Sequence, residues 1–159
     1  MATDAAYYHY IRYEIEPLLP PTARRIVDVG TGTGRTAAWL RSRFPESRTI
    51  GLEVNGALLD ELAGNVDEAL IVDLNAGIPD IGSPDLILCL DVLEHLVDPG
   101  EVLAQLAARL SRGGTVIVSL PNVAHLSVSL PLLLRGRFEY RDADYLIVRI
   151  FGSLCVIRP

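Results

Sequence analysis

Three glycines lie close together after an apolar run, where the backbone could approach a ligand. Residues 24–30 read RRIVDVG, and Gly30, Gly32 and Gly34 occupy alternate positions. Glycine adopts positive φ without steric cost and leaves space for a ligand beside the backbone. Asp28 stands two residues before Gly30, so the same segment also carries a carboxylate. The pattern indicates a ligand-binding turn at the end of a buried strand.

Carboxylates follow the next three apolar runs as well. Glu53, Asp73 and Asp91 each stand at the end of such a run. In an open parallel sheet, ligands bind outside the carboxyl ends of the strands, so these side chains would meet at one edge. An acid after the second strand can accept the hydroxyls of a ribose. Together with the glycine turn, the acids predict a nucleoside site.

The glycine spacing bears on which nucleoside is bound. The dinucleotide fingerprint is G-x-G-x-x-G, whereas here the third glycine comes one residue early and Arg35 stands in its place. A carboxylate at Asp28 would repel a pyrophosphate but would attract a cationic ligand without phosphate. S-adenosylmethionine (SAM), which has an ammonium, a sulfonium and a ribose, fits that description. A nicotinamide dinucleotide remains the weaker alternative.

Alternating strands and helices are needed to bring these residues together. Apolar, β-branched runs predict strands over residues 24–30, 48–53, 69–72, 84–90 and 115–120. Helical spacing predicts helices over residues 4–19, 36–44, 55–63, 99–110 and 124–135, with Asn55 and Asp98 as the N-caps of the third and fourth. This alternation predicts an α/β, Rossmann-like fold with a mostly parallel sheet and helices on both faces.

Composition and charge narrow the classes of function. The chain has 159 residues, which is one domain's length, and a net charge of −6. Lysine and arginine form no run, so we expect no nucleic-acid partner. The first residues lack the apolar core of a secretory signal, and no apolar stretch could span a bilayer. We therefore expect a cytoplasmic protein without membrane insertion.

The two cysteines do not predict a metal site. Cys89 and Cys155 match neither a zinc-ligand spacing nor a disulfide framework. Cys89 lies inside an apolar run, which favours a buried structural thiol over a nucleophile. We therefore expect no bound metal.

Several segments resemble the class I SAM-dependent methyltransferases. IVDVGTGTG at 26–34 resembles that family's motif I, and GLEVN at 51–55, VDLN at 72–75 and DLILCLDVLEHLVDP at 85–99 resemble its following motifs in order. RGGTVIVSLPNVAH at 112–125 and LLLRGRFEY at 132–140 resemble a bacterial branch often associated with sugar or cell-surface polysaccharide synthesis. The resemblance implies methyl transfer from SAM to a small-molecule or sugar-linked acceptor, with S-adenosylhomocysteine (SAH) as product.

The resemblance also implies roles in holding the methionine part of SAM. Gly30, Thr31, Gly32 and Gly34 would form the loop beneath it, and Asp28 would lie near the ammonium. The family often has cysteine at the position of Thr31, and we expect threonine to be tolerated because the backbone makes the contacts there.

Further positions would hold the nucleoside and the sulfonium. By the same resemblance, Glu53 would accept the ribose hydroxyls, Asp73 would bind the adenine amino group and Leu74 would stack on the ring. Asp91 would lie beneath the sulfonium, beside Val92.

Two histidines are candidate general bases for the acceptor. His95 follows the fourth predicted strand, and His125 follows Pro121-Asn122 on the expected acceptor side. Histidine titrates near neutral pH and can accept a proton there. For His95, the alternative is a residue that caps a loop or orders the next helix. Tyr7 or Tyr8, in the first predicted helix, could form part of a lid over the cofactor, or could simply pack.

The C-terminal residues depart from the family. We expect a methyltransferase domain over residues 1–143 and an atypical tail over 144–159 that supplies at most one strand, leaving the family's C-terminal hairpin incomplete. Read one nucleotide earlier, permitted codons for residues 143–159 spell GLLDRTHFRFFVRDP, which resembles the branch; the tail is therefore interpreted as frameshifted. Such a tail would be disordered from about Gly136 or buried in a homodimer contact. A domain that binds the cofactor without catalysing transfer is the rival reading.

Overall fold

The described part of the chain is built around one sheet. The computed structural model describes residues 8–121, 145–151 and 154–157. Its strands are β1 (Arg25–Val29), β2 (Arg48–Glu53), β3 (Glu68–Ile71), β4 (Leu86–Leu90), β5 (Thr115–Pro121), β6 (Tyr145–Phe151) and β7 (Leu154–Ile157). They lie in the order β3-β2-β1-β4-β5-β6-β7. The first five are parallel, as the sequence predicts, and their boundaries lie within two residues of the predicted ones.

Side-chain caps begin two of the helices between these strands. The α-helices are α1 (Arg35–Arg43), α2 (Leu59–Asn65) and α3 (Pro99–Ala108), and shorter 3-10 helices cover Tyr13–Leu18, Gly56–Leu58 and Leu93–His95. The Asn55 side chain accepts a hydrogen bond from the amide of Ala57 at 3.1 Å. The Asp98 carboxylate accepts one from the amide of Glu101 at 2.9 Å. Both caps were predicted, because these side chains satisfy amides that the first helical turn leaves unpaired.

Alternating strand residues form a core layer on each face of the sheet. On one face, Val27 and Ile87 pack with Leu106 of α3. On the other face, Leu88 packs with Leu40 of α1. All five side chains are fully buried. This arrangement confirms the predicted Rossmann-like sheet with helices on both faces, and it directs the carboxyl ends of the parallel strands to a common edge.

The prediction of one helix over residues 4–19 is wrong for its described part. Within residues 8–19, the structure has 3-10 conformation at Tyr8 and His9 and from Tyr13 to Leu18, and no α-helix. In an α-helix the amide of Arg12 would donate to the carbonyl of Tyr8. Instead it donates to Thr36 Oγ1 at 3.3 Å, and the carbonyl of Tyr8 accepts from the amide of Thr33 at 3.3 Å. Tertiary contacts therefore replace the helical hydrogen bonds of this segment.

The prediction that the C-terminal hairpin is incomplete is also wrong. Strand β6 pairs antiparallel with β5, and β7 pairs antiparallel with β6. The expected disorder is thus absent from residues 145–151 and 154–157. The sequence between the two strands is Gly152-Ser153. Glycine followed by serine between apolar runs favours a two-residue hairpin, a signal that the sequence analysis overlooked.

Two predictions about helices remain, one for residues 124–135 and one for membrane spans. The helix predicted over residues 124–135 lies outside the described residues. None of the helices that the structure describes combines the length and the apolar character needed to cross a membrane.

Asp85 ties together the edge of the sheet opposite the glycine turn. Its Oδ2 accepts hydrogen bonds from the amides of Arg24 at 2.8 Å and Arg25 at 3.0 Å. Its Oδ1 accepts one from the Ser111 hydroxyl at 2.8 Å. These bonds lower the pKa of the Asp85 carboxyl against the opposing effect of its partial burial. One carboxylate therefore links the start of β1 to the turn before β5.

Replacing this carboxylate should destabilise the fold without touching the glycine turn. We expect Asp85→Ala to lower the free energy of unfolding by about 1–3 kcal/mol, because several donors lose their acceptor. Urea unfolding measures the change. Glu46→Ala, at an exposed position between α1 and β2, is the control and should change stability little. Equal stabilities of the two variants would contradict this role of Asp85.

Candidate functional site

The glycine turn is locked in a conformation that favours glycine. Gly30, Gly32 and Gly34 have φ values of 68°, 58° and 79°, in the left-handed region that glycine enters freely. A Cβ atom on Gly30 would lie 2.7 Å from Cγ2 of Val92, and one on Gly34 would lie 2.8 Å from Cδ1 of Leu62. Gly34 also precedes α1 as its N-cap. Close packing and backbone geometry therefore both require this spacing of glycines.

Glu53 joins the end of β2 to the glycine turn. Its carboxylate accepts hydrogen bonds from the amides of Gly32 at 2.8 Å, Val54 at 3.0 Å and Asn55 at 2.9 Å. The side chain is only 6% exposed. A carboxylate offers about four lone-pair positions, so three amide donors leave it limited capacity for a ligand. The structure places Glu53 beside the turn as expected and adds a role in holding the turn that the sequence did not reveal.

Asp28 lies buried beneath the same turn. It is 3% exposed, and its Oδ2 accepts a hydrogen bond from the Thr31 hydroxyl at 2.7 Å. Burial raises the pKa of the Asp28 carboxyl to about 7, against the lowering effects of the Thr31 hydrogen bond and the Arg12 charge. The nearby negative charge of Glu53 raises it further. This carboxyl therefore changes charge near neutral pH.

Asp91 is held at the end of β4 by two partners. The Ser119 hydroxyl donates to its Oδ1 at 2.6 Å, and the Arg12 guanidinium donates to its Oδ2. Its backbone has a φ of 54°, which is uncommon for a residue other than glycine. Val92, the next residue, packs against Gly30. Both predicted residues therefore lie at the carboxyl edge.

Arg12 is a residue of this edge that sequence reasoning missed. It is 8% exposed and donates to Asp91, to Glu14 and, at 3.2 Å, to the hydroxyl of Ser119. The prediction of a regular N-terminal helix concealed this role, because nothing in a helical pattern suggests that the Arg12 guanidinium points into the site. The acids at neighbouring strand ends could have indicated it, because buried carboxylates need a positively charged partner.

The two predicted adenine-binding residues, which follow β3, differ in their exposure to solvent. Asp73 is exposed, and its Oδ1 accepts hydrogen bonds from the backbone and side-chain nitrogens of Asn75, both at 2.9 Å. Leu74 is 7% exposed and belongs to the core, which leaves little of its surface for a ligand ring. Val54, immediately after Glu53, is 67% exposed. An exposed valine beside the predicted ribose acceptor is a second position that the sequence analysis did not single out.

Of the two histidines predicted as general bases, the structure describes one. His95 is exposed at the end of the 3-10 helix Leu93–His95. Partial burial and the neighbouring Asp91 charge raise the pKa of the adjacent Glu94 carboxyl. His125 lies outside the described residues, as does Tyr7. Whether either histidine accepts a proton stays a prediction.

The N-terminal segment lies across the glycine turn. A Cβ on Gly32 would come within 3.3 Å of the Tyr8 carbonyl oxygen and 3.4 Å of its ring carbon Cδ1. His9 Nδ1 lies 3.1 Å from Glu61 Oε1, which forms an ion pair when the imidazole is protonated. Tyr13 instead packs edge-on against Trp39, with ring centroids 5.2 Å apart. Tyr8 therefore contacts the glycine turn and its role as a lid stays a prediction, whereas Tyr13 is a packing residue.

Cys89 behaves as the sequence predicts. It is completely buried in β4, and burial together with the Asp28 charge raises the pKa of its thiol. A thiol held in its neutral form is a poor nucleophile. Within the described residues, no group of three or more histidine, cysteine, aspartate or glutamate side chains could hold a metal ion.

Known proteins with related sequences are methyltransferases. A family model described as "Methyltransferase domain" matches residues 4–146. Trans-aconitate 2-methyltransferase of Variovorax paradoxus (strain S110) is 29% identical over 125 residues, 71% of this chain and 48% of that protein. The enzyme of the same name from Acidovorax sp. (strain JS42) is 30% identical over 146 residues, 84% of this chain and 56% of that protein. The chain thus spans about half the length of the curated relatives it matches.

A solved structure supports the same fold. The plantazolicin methyltransferase BpumL, in complex with a monoazolic desmethylPZN analog and SAH, has a TM-score of 0.62 and 18% sequence identity. The match covers 81% of this chain and 50% of that one. At this identity, the likeness concerns the fold.

The burial of Asp28 should make stability depend on pH. Because its folded pKa of about 7 lies above the ordinary value of 3.8, its contribution is fully present below pH 3.8 and is lost as the pH rises to about 7. Asp28→Asn removes this loss. We expect the advantage of the variant over the wild type, measured by urea unfolding, to grow from about 2 kcal/mol at pH 5 to about 4 kcal/mol at pH 7 and above. Asp60→Asn, at an exposed position on α2, is the control; the same gain in both variants would contradict the prediction.

Proposed function

This chain belongs to the methyltransferase domain family, and from that premise we propose that it is a SAM-dependent methyltransferase acting on a small-molecule acceptor. One observation carries the proposal: a carboxylate, Asp28, is buried beneath a left-handed glycine turn. When bound, SAM supplies a methyl group on a sulfonium, which is an activated leaving group. The chain's own residues bind and orient it. Alignment for in-line attack then supplies much of the rate.

The electrostatics of the turn favour SAM over a nicotinamide dinucleotide. The Asp28 and Glu53 carboxylates both lie beside the glycine turn and are buried. Negative charges in a poorly hydrated site repel a pyrophosphate strongly. They attract an ammonium and can accept hydrogen bonds from a ribose. An NAD-binding oxidoreductase is therefore the disfavoured alternative.

The placement of residues supports a particular orientation of the cofactor. Asp28 would meet the ammonium of the methionine part beside the turn formed by residues 30–34. Glu53 would use its remaining capacity on the ribose, and Asp91, beside Val92, would lie beneath the sulfonium. Asp73 would bind the adenine amino group. Leu74 would contribute its backbone and a small part of its side chain to the adenine, and exposed Val54 would supply more of the apolar surface.

For the methyl acceptor, we propose a class of compounds and an order in which to test them. The names of the relatives make trans-aconitate the first acceptor to test, and the resemblance of residues 112–125 and 132–140 makes a sugar-linked hydroxyl the second. His95 or His125 would accept the proton that the acceptor loses. Methyl transfer needs limited acid–base assistance, so either histidine should affect the rate less than the cofactor-binding carboxylates do.

The rival proposal is a domain that binds the cofactor without turnover. We keep the division into residues 1–143 and an atypical tail over 144–159, because the tail departs from the branch that the preceding segments resemble. Strand β7 lies at one edge of the sheet, where unpaired backbone groups could pair with a second copy. Sequencing the source gene across the Ala143 codon tests the frameshift; a genomic reading of ADYLIV in frame would exclude it. Light scattering tests the dimer.

Calorimetric titration separates these functions. We expect SAH to bind and NAD not to bind; NAD binding without SAH binding would overturn the proposal. Transfer of labelled methyl from SAM to trans-aconitate, or to a panel of sugar-linked acceptors, then separates an active enzyme from an idle domain. SAH binding with no transfer to any acceptor would favour the idle domain.

Removing the charge of Glu53 should weaken cofactor binding. We expect Glu53→Gln to raise the dissociation constant of SAH about 10- to 100-fold, or about 1–3 kcal/mol, because the ribose loses a charged acceptor. Titration calorimetry gives the constant, and thermal unfolding shows whether the turn still folds. Glu46→Gln is the matched control. An unchanged constant in a folded Glu53→Gln variant would remove Glu53 from the site.

A further inference from the structure

Burial of the Arg12 guanidinium would cost free energy if the group had no partners. Its side chain is 10% exposed, and a buried guanidinium is stable only if it is paired and hydrogen-bonded. Its ion pairs with Asp91 and Glu14 meet that need. Its backbone amide is fixed as well, by Thr36 at the start of α1. The residue therefore has a single, well-determined place at the carboxyl edge.

Arg12, Ser119 and Asp91 form a closed triangle of hydrogen bonds. Arg12 donates to the Asp91 carboxylate and, at 3.2 Å, to the Ser119 hydroxyl. That hydroxyl donates in turn to Asp91 at 2.6 Å, and it also accepts from the Asp91 amide at 3.1 Å. The three residues come from the N-terminal segment, β5 and the end of β4. Each member fixes the direction of the other two.

The triangle determines which carboxylate is left for a cation. Both oxygens of Asp91 already accept charged or short hydrogen bonds, so Asp91 is engaged before any ligand arrives. Asp28 accepts the Thr31 hydroxyl on Oδ2, and its Oδ1 is the oxygen that we expect to meet an ammonium. The ionised form of Asp28 is stabilised by Arg12 and destabilised by Glu53. The negative charge of Asp28 also raises the pKa of the Cys89 thiol in β4, together with burial of that thiol.

We propose that Arg12 is a positioning residue for the cationic end of the cofactor: through the triangle it fixes the Asp91 carboxylate at the end of β4, beside Val92 and the glycine turn. Arg12 acts through Asp91 and is not itself a catalytic residue. Its charge also favours the ionised form of Asp28, which gives the test a second readout. The inference rests on the proposed function, since the cation is that of SAM or SAH. It also explains why the N-terminal segment departs from a helix at this residue.

Variants at Arg12 and Ser119 separate charge from geometry. Arg12→Gln removes the charge, and Arg12→Lys keeps the charge but loses the planar fork. Ser119→Ala removes the two sides of the triangle that the hydroxyl forms. Arg41→Met, at an exposed position on α1, is the control. Two quantities are measured: the titration of Asp28 in ligand-free protein, by NMR of ¹³C-labelled aspartate carboxyls assigned with Asp28→Asn, and the dissociation constant of SAH from pH 6 to pH 9.

The expected results differ among the variants. Binding of SAH should strengthen as Asp28 ionises. Arg12→Gln should raise the Asp28 midpoint by about one pH unit and weaken SAH binding at pH 7.5 about 10-fold or more. Arg12→Lys and Ser119→Ala should weaken binding less, about 3- to 10-fold, with the midpoint unmoved. Arg41→Met should leave both quantities unchanged.

Other results would overturn the inference. An Arg12→Gln variant that is merely less stable, with the Asp28 midpoint and SAH affinity of the wild type, would assign Arg12 a structural role alone. If Arg12→Gln does not fold, Arg12→Lys decides: weaker binding with an unmoved midpoint supports positioning, and wild-type binding refutes it. Absence of SAH binding to the wild type would refute the proposed function, whereas the ligand-free titration still reports separately whether Arg12 controls Asp28.

Discussion

Carboxylates buried at the carboxyl edge of the sheet must be stabilised without water, and each of them is stabilised in a different way. Glu53 accepts three backbone amides. Asp91 accepts a guanidinium and a hydroxyl. Asp28 has one hydroxyl donor, and burial raises the pKa of its carboxyl to about 7. The glycine turn, which brings the Gly32 amide to Glu53, and the N-terminal segment, which brings Arg12 to Asp91, are both consequences of this requirement.

The same arrangement supports the proposed ligand. Two of the three acids are largely satisfied within the protein, so the third, Asp28, is the most responsive to a new positive charge. A cationic ligand that supplies an ammonium beside Asp28 replaces solvation that the carboxylate has lost. A pyrophosphate would add negative charge at the same place. Family membership and local electrostatics therefore support the same class of cofactor by independent arguments.

The sequence was most informative where local patterns determine structure. Apolar β-branched runs located the five parallel strands, and Asn55 and Asp98 marked helix starts because their side chains satisfy free amides. It failed where distant contacts override local preference. The apolar spacing around Ile15 suggested a regular helix, but Thr33 and Thr36 take over the hydrogen bonds of the N-terminal segment. Arg12 could not be assigned to the site without knowing that β5 brings Ser119 beside it. Leu74 was expected at a ligand ring, yet it lies mainly in the core, because the position of a loop residue relative to the sheet is set by tertiary packing.

A crystal structure with bound SAH would test the central claim most directly, which is that the acids at the carboxyl edge form a site for a nucleoside that bears an ammonium group. The account predicts that the SAH ammonium lies within hydrogen-bonding distance of Asp28 and that the ribose hydroxyls lie at Glu53, with the Arg12–Ser119–Asp91 triangle intact beneath the thioether. Density for SAH elsewhere on the protein, or an ammonium paired with a different carboxylate, would contradict it.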